Sequence, residues 1–213
     1  MNIFQTCQSP VVAANWLCKE HLHKMPVESA QLLSTGLHEL SNDSYEFLIN
    51  EVGIYKPVHV GHPSRLWISE SPNNFAWLIN HATRMFGIRK SIGRKEHKSE
   101  AIIQRIFQYF SENMMELRFK ESGVTPILFA FGDGTKPDKF LDIKQQFGNI
   151  IRPATKTTQD LYRANSFDEG YLAYQEYIRR KQFEPTTKYG REHHILRRPT
   201  WVNDTPPKWY YPV

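Results

Sequence analysis

Apolar side chains recur at the spacing of an α-helix in several separate stretches of this chain, and that recurrence limits the fold more than anything else in the sequence. In AIIQRIFQYFSENMMELRF, positions 102, 103, 106, 107, 110, 114 and 117 follow a helical period after Ser99, a candidate cap. Residues 27–40 carry leucines at 32, 33, 37 and 40. Ser9-Pro10 and Ser71-Pro72 pair a capping serine with a proline at the first helical position. The first predicts a helix from Val11 toward His23, and the second one from Asn73 to a stop near Gly87. Pro26 either starts a second helix or kinks a continuous one. FDEGYLAYQEYIRRK, 167–181, returns to the same period.

Between these stretches proline and glycine dominate. Residues 42–72 are too interrupted for a long helix, and 123–158 read as loop. The tail carries prolines at 185, 199, 206, 207 and 212. The expected architecture is mainly α: a single helical domain over 1–213, with long irregular loops and a Pro-rich basic C-terminal tail. Its helical core would be 1–122, and 123–213 a loop-rich portion with one helix near 167–181. A chain of 213 residues is long enough for a sizeable core.

No stretch reaches the roughly 18 apolar residues that span a bilayer, and no cationic apolar leader opens the chain, so no membrane partner is expected. Two cysteines, Cys7 and Cys18, suit a reducing compartment. The net charge of +5 permits an anionic partner without requiring one. FGDGTKP lacks the spacing of a phosphate-binding P-loop, and neither GxGxxG nor GxSxG occurs. Kinase, dinucleotide and hydrolase-fold readings are therefore set aside.

CKEHLHKMPVESAQLLS, 18–34, sets titratable groups among core-type residues. At 100° per residue, His21, Lys24, Glu28 and Gln31 fall within an arc of about 80°. A partly buried glutamate there suits acid–base work, a desolvated lysine suits nucleophilic attack, and a histidine exchanges protons near neutral pH. The plainer account is a Lys24–Glu28 surface pair contributing a few tenths of a kcal/mol. Downstream, His59, His62, Arg65, Trp67, Ser71, Asn74 and Trp77 are materials for holding a base and its phosphate. His59, His62 and His81 are also possible zinc ligands, although caps and core packing account for them more simply, so no metal and no cofactor are expected.

Basic charge gathers in two places. Residues 84–98 carry six Lys/Arg against one Glu, among them Arg89, Lys90, Arg94, Lys95 and Lys98, with His97 beside them. Residues 179–198 carry seven Lys/Arg against two Glu, beginning at Arg179 and Arg180. Either is a DNA-backbone contact, whose affinity salt would remove, or a solvated face.

Taken together, MNIF, AANWLCKEHLHKMPVESAQLLSTGLH, YKPVHVGHPSRLWISESPNNFAWL and GRKEHKS resemble a bacteriophage family described as pyrimidine-dimer DNA glycosylases, with relatives linked to thymine hypermodification of phage DNA. The likeness spans about 170 residues and is carried by His21, Lys24, Met25, Glu28, Ala30 to Ser34, Tyr55, His59, His62, Pro63, Trp67, Ser71, Asn74, Trp77, Gly93, His97, Lys98 and Ser99. It implies a base-processing enzyme on double-stranded phage DNA or a modified nucleotide, working in the cytoplasm of the infected host. Alternatives are a transferase acting on 5-substituted pyrimidines and a non-catalytic binder of nucleic acid or a host protein. The implied site sets Glu28, Lys24, His21 and His62 in catalysis, with Gln31, His59, Arg65, Trp67, Ser71, Asn74, Trp77, His97 and Lys98 around the substrate. Arg89, Lys90, Arg94, Lys95, Arg179 and Arg180 would meet the DNA backbone. The chain departs from the family in AFGDGTKPDKF and in the order of Lys19-Glu20. A bulky Asn2 favours retention of Met1, which leaves the Met1 α-amine, Lys24, or a hydrolytic route without an amine.

Overall fold

The computed structural model describes residues 2–130, 139–151, 161–180 and 199–210, with the side chains of 139–141 left aside. Helix α1 spans Pro10–Asn15, and Ser9 caps it by accepting the Val12 N–H at 3.3 Å. The expected run to His23 stops short because residues 18 and 19 pair elsewhere. Cys18 is extended and bridges Trp201, and the Lys19 N–H donates to the Thr200 carbonyl at 2.7 Å. A tertiary hydrogen bond replaces the one that would have continued the helix.

Helix α2 then runs from Lys19 to Leu40 without a break at Pro26. A proline inside a helix has no N–H for the carbonyl four residues back, here that of Leu22. Arg89 supplies the missing donor, its Nη1 lying 3.1 Å from the Leu22 oxygen. A side chain from another helix thus heals the vacancy. Gly36 lets α2 approach its neighbours closely: a Cβ there would meet Ser69 Oγ at 3.1 Å and Phe75 at 3.3 Å.

Short α3 (Tyr45–Phe47) continues as a π turn, Leu48–Val52, that ends at Gly53 with φ of 74°. Helix α4 (Pro63–Ile68) follows, capped by His62. Helix α5 (Pro72–Ser91) begins at the Ser71 cap and passes through Gly87, because burial of Ile88 and Arg89 outweighs one exposed glycine. Helix α6 covers Ser99–Asn113, but its first turn is held by His97, whose Nδ1 accepts the Ser99 N–H, and not by a Ser99 side-chain cap. Its buried face is Ile103, Ile106, Tyr109 and Phe110, whereas Phe107 and Met114 are exposed.

The loop expected over 123–158 is partly ordered. Helix α7 (Lys139–Phe147) leads into β1 (Gly148–Ile151), which pairs antiparallel with β2 (Leu161–Ala164), Gly148 facing Ala164. Residues 131–138 and 152–160 lie outside the described part. The hairpin docks on the helices through Arg163, which pairs with Glu70 and donates to the Pro126 carbonyl. Helix α8 (Phe167–Arg180) matches its expected span. Residues 199–210 are no free tail, because Trp201 is buried and Lys19 pairs with Asp204 at 3.2 Å. Cys7 and Cys18 are not joined in a disulfide. Among the described residues no helix is long and apolar enough to cross a membrane.

Around α2 the core gathers Leu22, Leu32, Leu33 and Leu37 with Phe75, Leu78, Ile106 and Phe110. Each of these side chains contributes about 1.5–3 kcal/mol by leaving water. That core holds the polar face of α2 in a fixed frame.

Candidate functional site

Glu28 sits at the meeting point of α2, the first residues of the chain and α8. Its side chain is 7% exposed, whereas Lys24, one turn earlier, is 71% exposed. Lys24 Nζ lies 2.9 Å from Glu28 Oε1, and the Asn2 backbone N–H donates to Oε2 at 3.1 Å. The pair is thus lopsided: a buried carboxylate under an amine that opens to solvent. It is not the doubly exposed pair of an ordinary helix face.

The opening segment is fitted tightly beside that carboxylate. Asn2 Oδ1 accepts the N–H groups of Ile3 and Phe4, and its Nδ2 donates to the Ala130 carbonyl at 3.1 Å. Phe4 takes a left-handed φ of 49° and stacks on His21 with ring centres 4.1 Å apart. Phe4 also lies 5.9 Å, ring centre to ring centre, from Tyr177. Burial and then the nearby Glu28 charge push the Tyr177 hydroxyl up to about 12. His21 is accordingly a buried, stacked ring, while Gln31 is half-buried farther along α2. Asn2, Phe4 and Tyr177 were missed in the sequence. MNIF read only as an extended lead, and nothing near residue 177 pointed across to residue 28.

The block at 59–81 turns mostly inward. Trp67 is fully buried and donates to the Thr125 carbonyl at 2.9 Å; Trp77 donates to Gln8 at 2.8 Å. The two indoles pack edge to face at 6.0 Å. Asn74, also fully buried, gives its amide to the Trp67 carbonyl and to Thr125 Oγ1, and its Oδ1 accepts the Thr125 N–H. Ser71 is the α5 cap and His62 the α4 cap, its Nδ1 accepting the Ser64 N–H at 3.2 Å. Arg65 is 4% exposed and pairs with Glu39, and burial lowers its guanidinium to about 10. The sequence places Arg65, Trp67, Ser71, Asn74 and Trp77 around a substrate; in the structure these contacts occupy their side chains within the fold. Their polar atoms hold the fold, and both indoles are sealed from a stacking base. His59 stays exposed with φ of 52°.

His81 stacks on Trp77 at 4.9 Å, and burial drives it down to about 3. It does not converge with His59 or His62. Among the described residues no three His, Cys, Asp or Glu side chains gather as a metal site.

The Lys and Arg residues of the basic stretch at the end of α5 and beyond stay exposed apart from Arg89. Arg89, Lys90, Arg94, Lys95 and His97 line a cleft of about 390 Å³ between α5 and α6. Burial, Arg89 and His23 hold the His97 imidazole below its usual range. Lys98 is exposed at the start of α6. The second basic stretch is different. Arg179 pairs with Glu176 at 2.6 Å and donates to the Trp209 carbonyl at 2.7 Å; Arg180 pairs with Glu176 and with Asp142. Both tie α8 to its neighbours through these contacts. The rest of that stretch, 181–198, lies outside the described residues, as does Met1.

Comparison with protein-family models, with curated proteins and with solved structures found no match. The phage-family resemblance therefore rests on the residues that carry it.

Proposed function

We propose that the chain is a base-processing enzyme of DNA-glycosylase type, acting on a damaged or modified pyrimidine in double-stranded DNA. One observation carries this reading: the buried Glu28 carboxylate holds an exposed amine, Lys24 Nζ, at 2.9 Å. A carboxylate shielded from water beside a reachable amine suits proton transfer to and from a nucleophile. Duplex DNA would present its target by flipping the base out of the stack, since the glycosidic bond is otherwise out of reach.

In this mechanism the amine, its proton passed to Glu28, attacks C1′ of the deoxyribose. The C1′–N1 bond breaks, its electron pair leaves with the base, and the base takes up a proton. The attached nitrogen gives up one of its two protons, and its lone pair then forms the C1′=N bond as the C1′–O4′ bond opens and O4′ takes up a proton, leaving an iminium that keeps one N–H. The exposed Lys90, Arg94, Lys95 and Lys98, from the end of α5 to the start of α6, support phosphate contact. The family resemblance supplies the substrate class and the setting, the cytoplasm of a phage-infected bacterium.

Borohydride trapping tests the proposal on ultraviolet-irradiated, abasic and 5-modified duplexes. A covalent adduct is expected by intact mass, with peptide mapping assigning it to Lys24 or to an amine at the start of the chain. Glu28→Gln should retain DNA binding and lower the single-turnover rate by roughly 10²–10⁴-fold. Absence of both adduct and released base across the panel overturns the glycosylase reading. Altered nucleosides without base release would point to group transfer instead.

A further inference from the structure

Arg89 is 9% exposed, yet among the described residues no carboxylate forms an ion pair with it. Its guanidinium donates to two carbonyl oxygens, Leu22 at 3.1 Å and Lys95 at 3.5 Å, and its buried Nε has no hydrogen-bond partner. Carbonyls satisfy N–H groups but carry only partial charge, so a buried cation held by them alone still lacks a counter-charge. The stronger of the two bonds exists because Pro26 leaves the Leu22 carbonyl open. Arg89 is therefore locked in place without being neutralised.

The cleft that Arg89 lines adds to this. Lys90, Arg94 and Lys95 are exposed around it, and only Glu96 and Glu100 oppose the four cations. Its approximately 390 Å³ is within the range of small-ligand sites. The first turn of α6 borders it through Glu100, and His97 on the lining already accepts the Ser99 and Glu100 N–H groups. An ordinary solvated basic face has no buried, unneutralised guanidinium at its floor.

We infer that this cleft is a phosphate-binding pocket, with Arg89 as the fixed donor and Lys90, Arg94 and Lys95 as the rim. The ligand chemistry is a phosphate group with room for an attached sugar. Its source is either a phosphate of the DNA backbone or a small free phosphate. The inference stands whether or not Glu28 is catalytic. The two sites are linked only through α2, where Leu22 and Glu28 lie six residues, or about 9 Å, apart along the axis.

Calorimetric titration of the full chain with inorganic phosphate, and separately with a short duplex lacking terminal phosphates, tests this at about 50 mM and about 200 mM salt. The wild type should bind at least one of the two, more tightly at the lower salt. Arg94→Ala/Lys95→Ala changes only exposed side chains, and should weaken binding roughly tenfold or more with its melting temperature unchanged. Arg89→Met should weaken it further where that variant folds. Competition between inorganic phosphate and duplex identifies the backbone as the source; phosphate binding without competition identifies a free phosphate. Glu28→Gln should bind like the wild type, which separates this pocket from the base-processing reading. The pocket is refuted if the wild type binds neither probe, or if the double variant binds both unchanged.

Discussion

Residues 59–81 and 84–98 are written in nearly the same alphabet, yet they fold in opposite senses. Both mix arginine, histidine and aromatic side chains, and each buries one arginine against α2 or its neighbours. In the first, Arg65 meets the Glu39 carboxylate, and Trp67, Asn74 and Trp77 spend their polar atoms on backbone and on Thr125. In the second, Arg89 meets carbonyls, and Lys90, Arg94 and Lys95 stay in solvent. The two blocks differ in unmet charge, which residue type alone does not reveal.

Removal of Trp67 attacks that contrast most directly. Trp67→Ala should destabilise the protein by about 3–5 kcal/mol, read by chemical denaturation, through a lost indole and an empty core site. Phosphate or duplex affinity of the remaining folded molecules should hardly move. A variant that kept its stability but lost affinity would reverse the roles assigned to the two blocks.

Acid titration gives the next largest effect. His81 has a folded value of about 3 against an ordinary 6.5, so the unfolded chain binds a proton that the folded chain refuses. The stability linked to it is intact above pH 6.5 and declines as pH falls toward 3. His81→Leu removes that slope and also removes two buried ring nitrogens without partners. It should match or exceed wild-type stability near neutrality, and at about pH 4 exceed it by about 3 kcal/mol. Equal acid sensitivity in the two proteins would mean that another group sets the slope.

Arg65→Met is expected to lower stability by about 2 kcal/mol, since it frees Glu39, which is half exposed, and leaves the Val60 carbonyl without its donor. Affinity for phosphate should be untouched. The contrast sharpens with Arg94→Ala/Lys95→Ala, where stability should change by less than about 0.5 kcal/mol while affinity falls.

The local signals were dependable where the answer was local. Ser9-Pro10, Ser71-Pro72 and the periods at 99–113 and 167–180 mark helices because caps and amphipathic spacing act within a few residues. The interruption at residues 16–18 was invisible because its cause, Thr200, lies at the far end of the chain. Helix α7 and the hairpin were hidden for a similar reason: Ile143 is buried, and β2 is held by pairing with residues 127–129 as well as β1. At the site, the 80° arc does bring Lys24 and Glu28 together on α2. It could not reveal that Asn2 and Tyr177 complete their surroundings, nor that Trp67 and Trp77 are sealed inward.

The fit of the opening segment also sets an order of events during synthesis. Asn2 reaches Ala130 across 128 positions, Thr6 is held by Gln175 across 169, and Glu20 meets Thr200 across 180. A nascent chain can assemble α2, α5 and α6 early, because their contacts are comparatively close in sequence. The wall beside Glu28 has to wait for α8 to leave the ribosome, and the start of α2 for the residues near 200. Contacts that close such long loops form late and slow the final step. A chain interrupted before residue 167 would lack the α8 wall beside Glu28, so the enclosure of that carboxylate is finished only once α8 has been made.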